Sequence, residues 1–205
     1  MTVETDKKTL IDKFTQKDRR ILKDSGFVII KSKRRNLYDF EKEGWRFVTL
    51  FLENKNKVFL DRSRGGEIAY VPTGIYLPDS YRHSSYDEQT QLLSETESSL
   101  REVGLTNINI NFPSVADCME VADVEAKKGI NIFGYEFGYL YTRTSTENSP
   151  TTTVIIGCDN LSLFPEEMRK GTPEGEFRGI HILDYPKDNN LNSALFLIPV
   201  ISPTQ

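Results

Sequence analysis

Cysteine and histidine are scarce in this chain, and they are not arranged to bind a metal. The 205 residues include two cysteines, at positions 118 and 158, and two histidines, at positions 83 and 181. Two cysteines cannot build the dense disulfide framework of a small secreted domain, and these four residues lack the spacing of a tetrahedral zinc site. We therefore expect no metal site and no disulfide scaffold.

Long hydrophobic runs are also missing. No apolar stretch approaches the roughly 18 residues of a membrane span, and residues 1–8 lack the apolar stretch of a secretory signal. The sequence contains no glycine-rich dinucleotide motif, no phosphate-binding loop and no HExxH zinc motif. These absences predict a soluble, cytoplasmic protein that uses no cofactor and no membrane.

The composition is that of a folded protein with an uneven charge distribution. Hydrophobic residues make up 38% and charged residues 27% of the chain, enough to bury a core, so we expect one domain over 1–205, with residues 1–26 as a possible helical lead-in. Residues 1–64 hold 17 Lys and Arg against 10 Asp and Glu, whereas the remainder holds 9 against 20. This polarity favours binding to a charged partner or to another copy of the chain.

Three segments carry helix signals. Apolar residues recur at near-helical spacing over 5–25, and Gly26 follows them. Ser85 and Glu88 form a capping box ahead of a second stripe that ends at Gly104. A third helix is predicted to begin after Ser114 and to end before Gly129.

Strand signals separate these helices. The clearest is 45–52, which is apolar on both faces and is predicted to be central in its sheet; a turn at 53–56 and a returning strand over 57–61 follow it. Pro199 predicts that a last strand over 193–202 lies at an edge or a bulge. Further strands are predicted at 27–33, 105–112, 132–144 and 152–157. The order predicts an α+β fold with a mainly antiparallel or mixed sheet, three main helices and long irregular loops.

Two stretches, 62–84 and 158–192, have little periodicity and are longer than most loops of compact domains. Four of the nine tyrosines fall within 17 positions in or beside the first stretch, and tyrosine is enriched at interfaces. Alternatively, these tyrosines hold the loop against its own sheet. The candidate partner-binding residues are Tyr70, Tyr76, Tyr81 and Tyr86.

These features favour a non-catalytic protein-interaction or assembly subunit. Its long loops and opposite charge patches would contact a protein partner, or a homo-oligomer would form with the basic N-terminal region against the acidic remainder. An unprotected edge strand at 193–202 would give a further docking surface. We also expect the 158–192 loop to be mobile in isolated protein and ordered on assembly.

Nucleic-acid binding is the first alternative. Aromatic residues at positions 38, 40 and 45 lie near a basic run, and basic charge with aromatic stacking is typical of single-strand binders. The overall pI of 5.4 argues against this reading. The candidate contacts are Arg19, Arg20, Lys31, Lys33, Arg34 and Arg35.

A cysteine-nucleophile hydrolase is the second alternative, with Cys158 as nucleophile, His181 as base and Asp184 as orienting residue. Cys158 follows an apolar strand, where a thiolate would be presented to a substrate. The neighbouring sequence lacks the second glycine of a nucleophile elbow, and the adjacent Asp159 would raise the pKa of the thiol. The sequence therefore favours a buried structural cysteine and a protein without catalytic activity.

Overall fold

The computed structural model describes residues 13–71, 85–128, 132–135, 138–158, 180–188, 195–196 and 200–204. Within them the chain forms five helices: α1 (Gln16–Asp24), α2 (Leu37–Lys42), α3 (Lys55–Leu60), α4 (Tyr86–Glu102) and α5 (Val115–Ala126). The strands are β1 (Val28–Ser32), β2 (Phe47–Leu50), β3 (Gly66–Tyr70), β4 (Ile108–Asn111), β5 (Gly134–Tyr135), β6 (Gly138–Arg143), β7 (Thr152–Cys158), β8 (Ile180–Pro186), β9 (Leu195–Phe196) and β10 (Val200–Pro203).

The strands form two sheets. The first has the order β1-β3-β10-β4 and is antiparallel throughout. The second has the order β2-β8-β7-β6-β5 and is mixed, because β2 runs parallel to β8 and the short β9 runs parallel to β6. The predicted α+β class, with three main helices and antiparallel and mixed sheets, is confirmed.

Helix α5 lies between the two sheets. On one side its Val121 packs with Ile30 and Ile68 of the first sheet, and on the other its Met119 packs with Ile156 of the second. Helices α1 and α4 cover the opposite face of the first sheet, where Leu22 and residues of α4 share a cluster with strand residues. This position explains why α5 is buried on nearly all sides.

Local capping signals place the long helices as predicted. The Glu88 amide donates to the Ser85 hydroxyl and the Ser85 amide donates to the Glu88 carboxylate, and Ser114 and Asp117 repeat this reciprocal pair at α5. After α4 the chain reverses at Gly104, whose φ of +99° a side chain would disfavour. Residues 5–12 of the first predicted helix lie outside the described residues.

The predicted hairpin over 53–61 is wrong, because the segment is helix α3. The Asn54 side chain accepts a hydrogen bond from the Lys57 amide and so caps a helix. Val58 and Phe59 then enter the core between the sheets. Helix α2, which Asn36 caps in the same way, was not predicted.

Three strand predictions also need correction. β2 stands at the end of the second sheet's strand order instead of its centre, and β10 lies between β3 and β4 instead of at an edge. The two irregular stretches contain β3 and β8, each paired on both sides, so they are not loops throughout. Residues 72–84, 159–179 and 189–194 lie outside the described part of the chain.

No helix in the described part of the chain is both long enough and apolar enough to cross a membrane.

Candidate functional site

Two of the four candidate tyrosines, Tyr70 and Tyr86, lie in the described part of the chain. Tyr70, predicted as a partner-binding residue, is buried, and its hydroxyl donates to the buried carboxylate of Glu125, so it is not exposed on the surface of this fold. Tyr86 is half-buried and stacks on Phe112 with ring centroids 4.6 Å apart. Tyr76 and Tyr81 lie outside the described residues. Tyr70 is used by the core because β3 is an inner strand of its sheet.

The predicted basic segment divides into exposed and paired residues. Arg35 is 7% exposed and forms ion pairs within the fold, and the Arg19 guanidinium donates to Glu67, so neither is a free cation for a polyanion. The exposed members are Arg20, Lys31, Lys33 and Arg34.

The aromatic residues near this segment pack in the core or against it. Phe40 is fully buried, and the Arg35 guanidinium lies 4.1 Å from its ring centroid. Tyr38 and Trp45 pack against the core cluster between the sheets. The predicted stacking platform beside the basic run is therefore absent from these three positions.

A buried carboxylate fixes the loop that follows β1. Glu120 of α5 is 1% exposed and accepts hydrogen bonds from the Lys33 amide (2.9 Å), the Ser63 hydroxyl (3.0 Å) and the Arg35 guanidinium (2.7 Å). Asp123, one helical turn further on, also accepts from Arg35, at 3.0 Å. These contacts join α5 to the loop after β1, which contains Lys33 and Arg35, and to the loop before β3, which contains Ser63.

The charges of this network stabilise one another. Burial alone would raise the pKa of Glu120, but its contacts with Arg35, the Lys33 amide and Ser63 outweigh burial and lower it below the ordinary 4.5. The pKa of Asp123 is lowered in the same way, against burial, by Lys127 and Arg35. Burial would lower the pKa of Arg35, but Glu120 and Asp123 raise it.

We expect this network to make folding stability fall in acid. Because the pKa of Glu120 is lower in the folded than in the unfolded chain, its contribution is present above pH 4.5 and is lost as pH falls through the folded value. For each extra proton that the unfolded chain binds, the free energy of unfolding decreases by at most about 1.4 kcal/mol per pH unit as the pH falls. Urea unfolding between pH 7 and pH 3 measures this, and Glu120→Gln should give a shallower dependence. Equal slopes for the two proteins would contradict the assignment.

Arg34 is presented to solvent in a constrained conformation. Its φ is +58°, which is unusual for a residue with a side chain. Its side chain crosses Gly65, where an added Cβ would lie 2.2 Å from the Arg34 Cγ. The Arg62 guanidinium donates to the Arg34 carbonyl at 2.9 Å. We call Lys31, Lys33, Arg34 and Arg62 the basic edge.

Of the three predicted hydrolase residues, the structure describes the side chains of His181 and Asp184. In β8, His181 and Asp184 are three residues apart, so their side chains lie on opposite faces of the sheet. Asp184 accepts from the Asn148 amide at 3.0 Å, whereas the Nδ1 atom of His181 lies 3.4 Å from the Tyr141 hydroxyl. The side chain of Cys158 lies outside the described residues. Asp184 is therefore not placed to orient His181.

The sequence interpretation missed a polar face on the second sheet. Tyr141 and Arg143 of β6 share this face with His181 and Tyr185 of β8, as the strand register requires. Arg143 is fully buried, donates to the Pro186 carbonyl at 3.3 Å and lies 5.3 Å from the Tyr185 ring centroid. Burial lowers the pKa of Arg143. These contacts join β6 to β8. The sequence signal for this shared face is the even spacing between its residues within each strand, which places them on the same side of the sheet.

A second missed feature is a pair of exposed apolar side chains in one segment. Phe51 is 82% exposed and Leu60 is 59% exposed. Leu60 also lines a surface cavity of about 520 Å³ with Lys57 and Thr146. We call this segment the 51–60 surface; it was missed because the segment was predicted to be a hairpin.

Among the described residues, no three His, Cys, Asp or Glu side chains converge to hold a metal ion. Comparison of the chain with protein-family models, curated proteins and solved structures found no match.

Proposed function

We propose that the protein is a non-catalytic protein-binding subunit that contacts its partner through the 51–60 surface. The observation that carries this proposal is Phe51, which combines 82% exposure with a φ of +60°. A bulky residue with positive φ is an outlier whose strain costs roughly 1–3 kcal/mol. Because the exposed ring adds little to the core, the strain is best explained by a role outside the fold.

The residues that follow Phe51 hold its backbone in a fixed position. The next residue, Leu52, packs against the core between the sheets, so the chain on this side of Phe51 is anchored. The Asn54 amide donates to the Asn148 side chain at 3.1 Å, which ties the segment to the turn after β6. A preordered aromatic residue loses little conformational freedom on binding, which is typical of interface anchors.

The cavity beside Leu60 supplies the polar part of an interface. Its lining combines an apolar residue with charged and hydroxyl groups, as at the rim of protein–protein contacts. The lining residues are Lys57, Leu60, Asp61, Ser145, Thr146 and Glu147.

Phe51→Ser tests the proposal against Val103→Ser, a control at an apolar residue that is 58% exposed. Tagged wild-type protein and both variants are used for affinity capture from the native host, and the captured protein is then purified and titrated. We expect at least a ten-fold higher Kd for Phe51→Ser and no change for Val103→Ser. Equal binding by all three proteins would contradict the proposal.

Phe51→Gly separates strain from binding. Glycine adopts a positive φ without steric cost, so we expect this variant to be more stable than wild type by about 1 kcal/mol, or roughly 2–4 °C in Tm, while partner binding is lost. Calorimetry and the same titration measure both effects. A lower Tm together with intact binding would refute the proposed role of this residue.

Nucleic-acid binding remains the second candidate, favoured by the exposure of Lys31, Lys33 and Arg34. Burial of Phe40, and the packing of Tyr38 and Trp45 on the core, weigh against a base-stacking mode. Titration of a fluorescein-labelled oligonucleotide with wild-type and Lys33→Glu/Arg34→Glu protein tests this candidate.

A further inference from the structure

Helix α4 carries an acidic stripe. Glu88, Glu95 and Glu102 are exposed and stand seven residues apart, a spacing that places them on one side of the helix at intervals of about 10.5 Å. The helix Tyr86–Glu102 contains five acidic residues and one arginine. We call these three glutamates the acidic stripe.

The acidic stripe and the basic edge lie at opposite sides of the first sheet. The basic edge lies at the end of β1, the first strand in the order, and in the loop before its neighbour β3, whereas α4 packs on β4, the last strand. With strands about 4.8 Å apart, the outer strands of a four-stranded sheet are about 14 Å apart. Within the described residues, Lys31, Lys33 and Arg34 form no ion pair, whereas Arg62 lies 3.7 Å from the Asp39 carboxylate. The charges of Lys31, Lys33 and Arg34 are therefore available to a second molecule.

We propose that a second copy of this chain docks its acidic stripe on the basic edge, so that copies associate head to tail. Each copy then presents one acidic and one basic surface. Because the two surfaces in a contact differ, the contact is heterologous and gives a ring or an open filament. The inference rests on the proposed role as a binding subunit but uses a different surface from the 51–60 surface.

The edge of β4 indicates what kind of contact forms. Glu97 accepts from the Ile110 amide at 3.0 Å, and Arg101 donates to the Ile108 carbonyl at 3.0 Å. These side chains occupy backbone groups that an incoming strand would need. The docked copy is therefore held by charged side chains, and its affinity depends steeply on salt.

A charge exchange tests the proposal by sedimentation velocity in 50 mM and 500 mM salt. One variant is Lys33→Glu/Arg34→Glu and the other is Glu95→Lys/Glu102→Lys. Wild type should associate in low salt and dissociate in high salt, and each variant alone should have at least a ten-fold higher dissociation constant. Mixing the variants should restore association, because each then offers the surface that the other lacks. The control is Arg46→Glu, at an exposed cation that precedes β2 of the second sheet, which should associate like wild type.

Three outcomes would overturn the inference. Wild-type protein that stays monomeric at all concentrations is the first, and variants that associate like wild type are the second. The third is a mixture that fails to associate although both variants are folded by circular dichroism. If the monomer instead binds a fluorescein-labelled oligonucleotide and Lys33→Glu/Arg34→Glu abolishes that binding, the basic edge serves nucleic acid. Phe51→Ser protein should still self-associate, so failure here leaves the proposed function separately testable.

Discussion

Glu120→Ala is expected to lower the free energy of unfolding by about 3–5 kcal/mol. The wild-type carboxylate, which is 1% exposed, accepts from the Lys33 amide, the Ser63 hydroxyl and the Arg35 guanidinium. Without Glu120, the Lys33 amide and the buried Ser63 hydroxyl lose their acceptor, and Arg35 loses its closest buried counter-charge. Urea unfolding monitored by tryptophan fluorescence measures the loss.

Glu43→Ala is the matched control, because Glu43 pairs with the same arginine from a half-exposed position. We expect a loss below about 1 kcal/mol, since solvent screens such a pair. Similar losses for Glu43→Ala and Glu120→Ala would mean that burial does not decide the strength of this network. Circular dichroism of each variant checks that helix content is retained.

Phe40→Ala should also cost about 3–5 kcal/mol, because it removes a fully buried ring from the core between the sheets. The same substitution at Phe51, which is 82% exposed, should change the free energy of unfolding by less than about 0.5 kcal/mol. Denaturant titration of the two variants compares the free energy of unfolding for the same substitution at a buried and at an exposed phenylalanine.

Partner binding should show the reverse order. Folded Phe40→Ala protein should bind the captured partner like wild type, whereas Phe51→Ala should not. A large stability loss for Phe51→Ala would place this ring in the fold and remove the basis of the proposed function.

The parts of the fold that the sequence predicted are those with local determinants. Ser85 and Ser114 each begin a helix three residues before an acidic residue, and the capping boxes need no distant partner. Gly26 and Gly104 take the positive φ values that follow helices. Short β-branched runs such as Val28–Ser32 were also found correctly.

The remainder depends on contacts between distant parts of the chain. Segment 55–60 contains a strand-like Val-Phe-Leu run, but a side-chain cap and burial of two neighbouring residues make it helical. The position of β10 inside its sheet is set by β3 and β4, which lie about 90 or more residues earlier. No local pattern reports such pairing.

The basic segment shows the same limit within two adjacent residues. Arg34 is exposed and Arg35 is buried, although both are arginines in one basic run. The difference is made by Glu120, which is 85 positions from Arg35 and directs that side chain inward. A sequence pattern can therefore identify a basic segment but cannot say which of its charges reach solvent.

The central place of β10 in the first sheet has a consequence for synthesis. Until residue 203 has left the ribosome, β3 and β4 lack the strand that joins them. A nascent chain that already contains residues 13–199 therefore holds two strand edges with unsatisfied backbone groups, the state most prone to aggregation. The first sheet is completed only after β10 has left the ribosome, and a chaperone that protects the unfinished chain would cover those two strand edges.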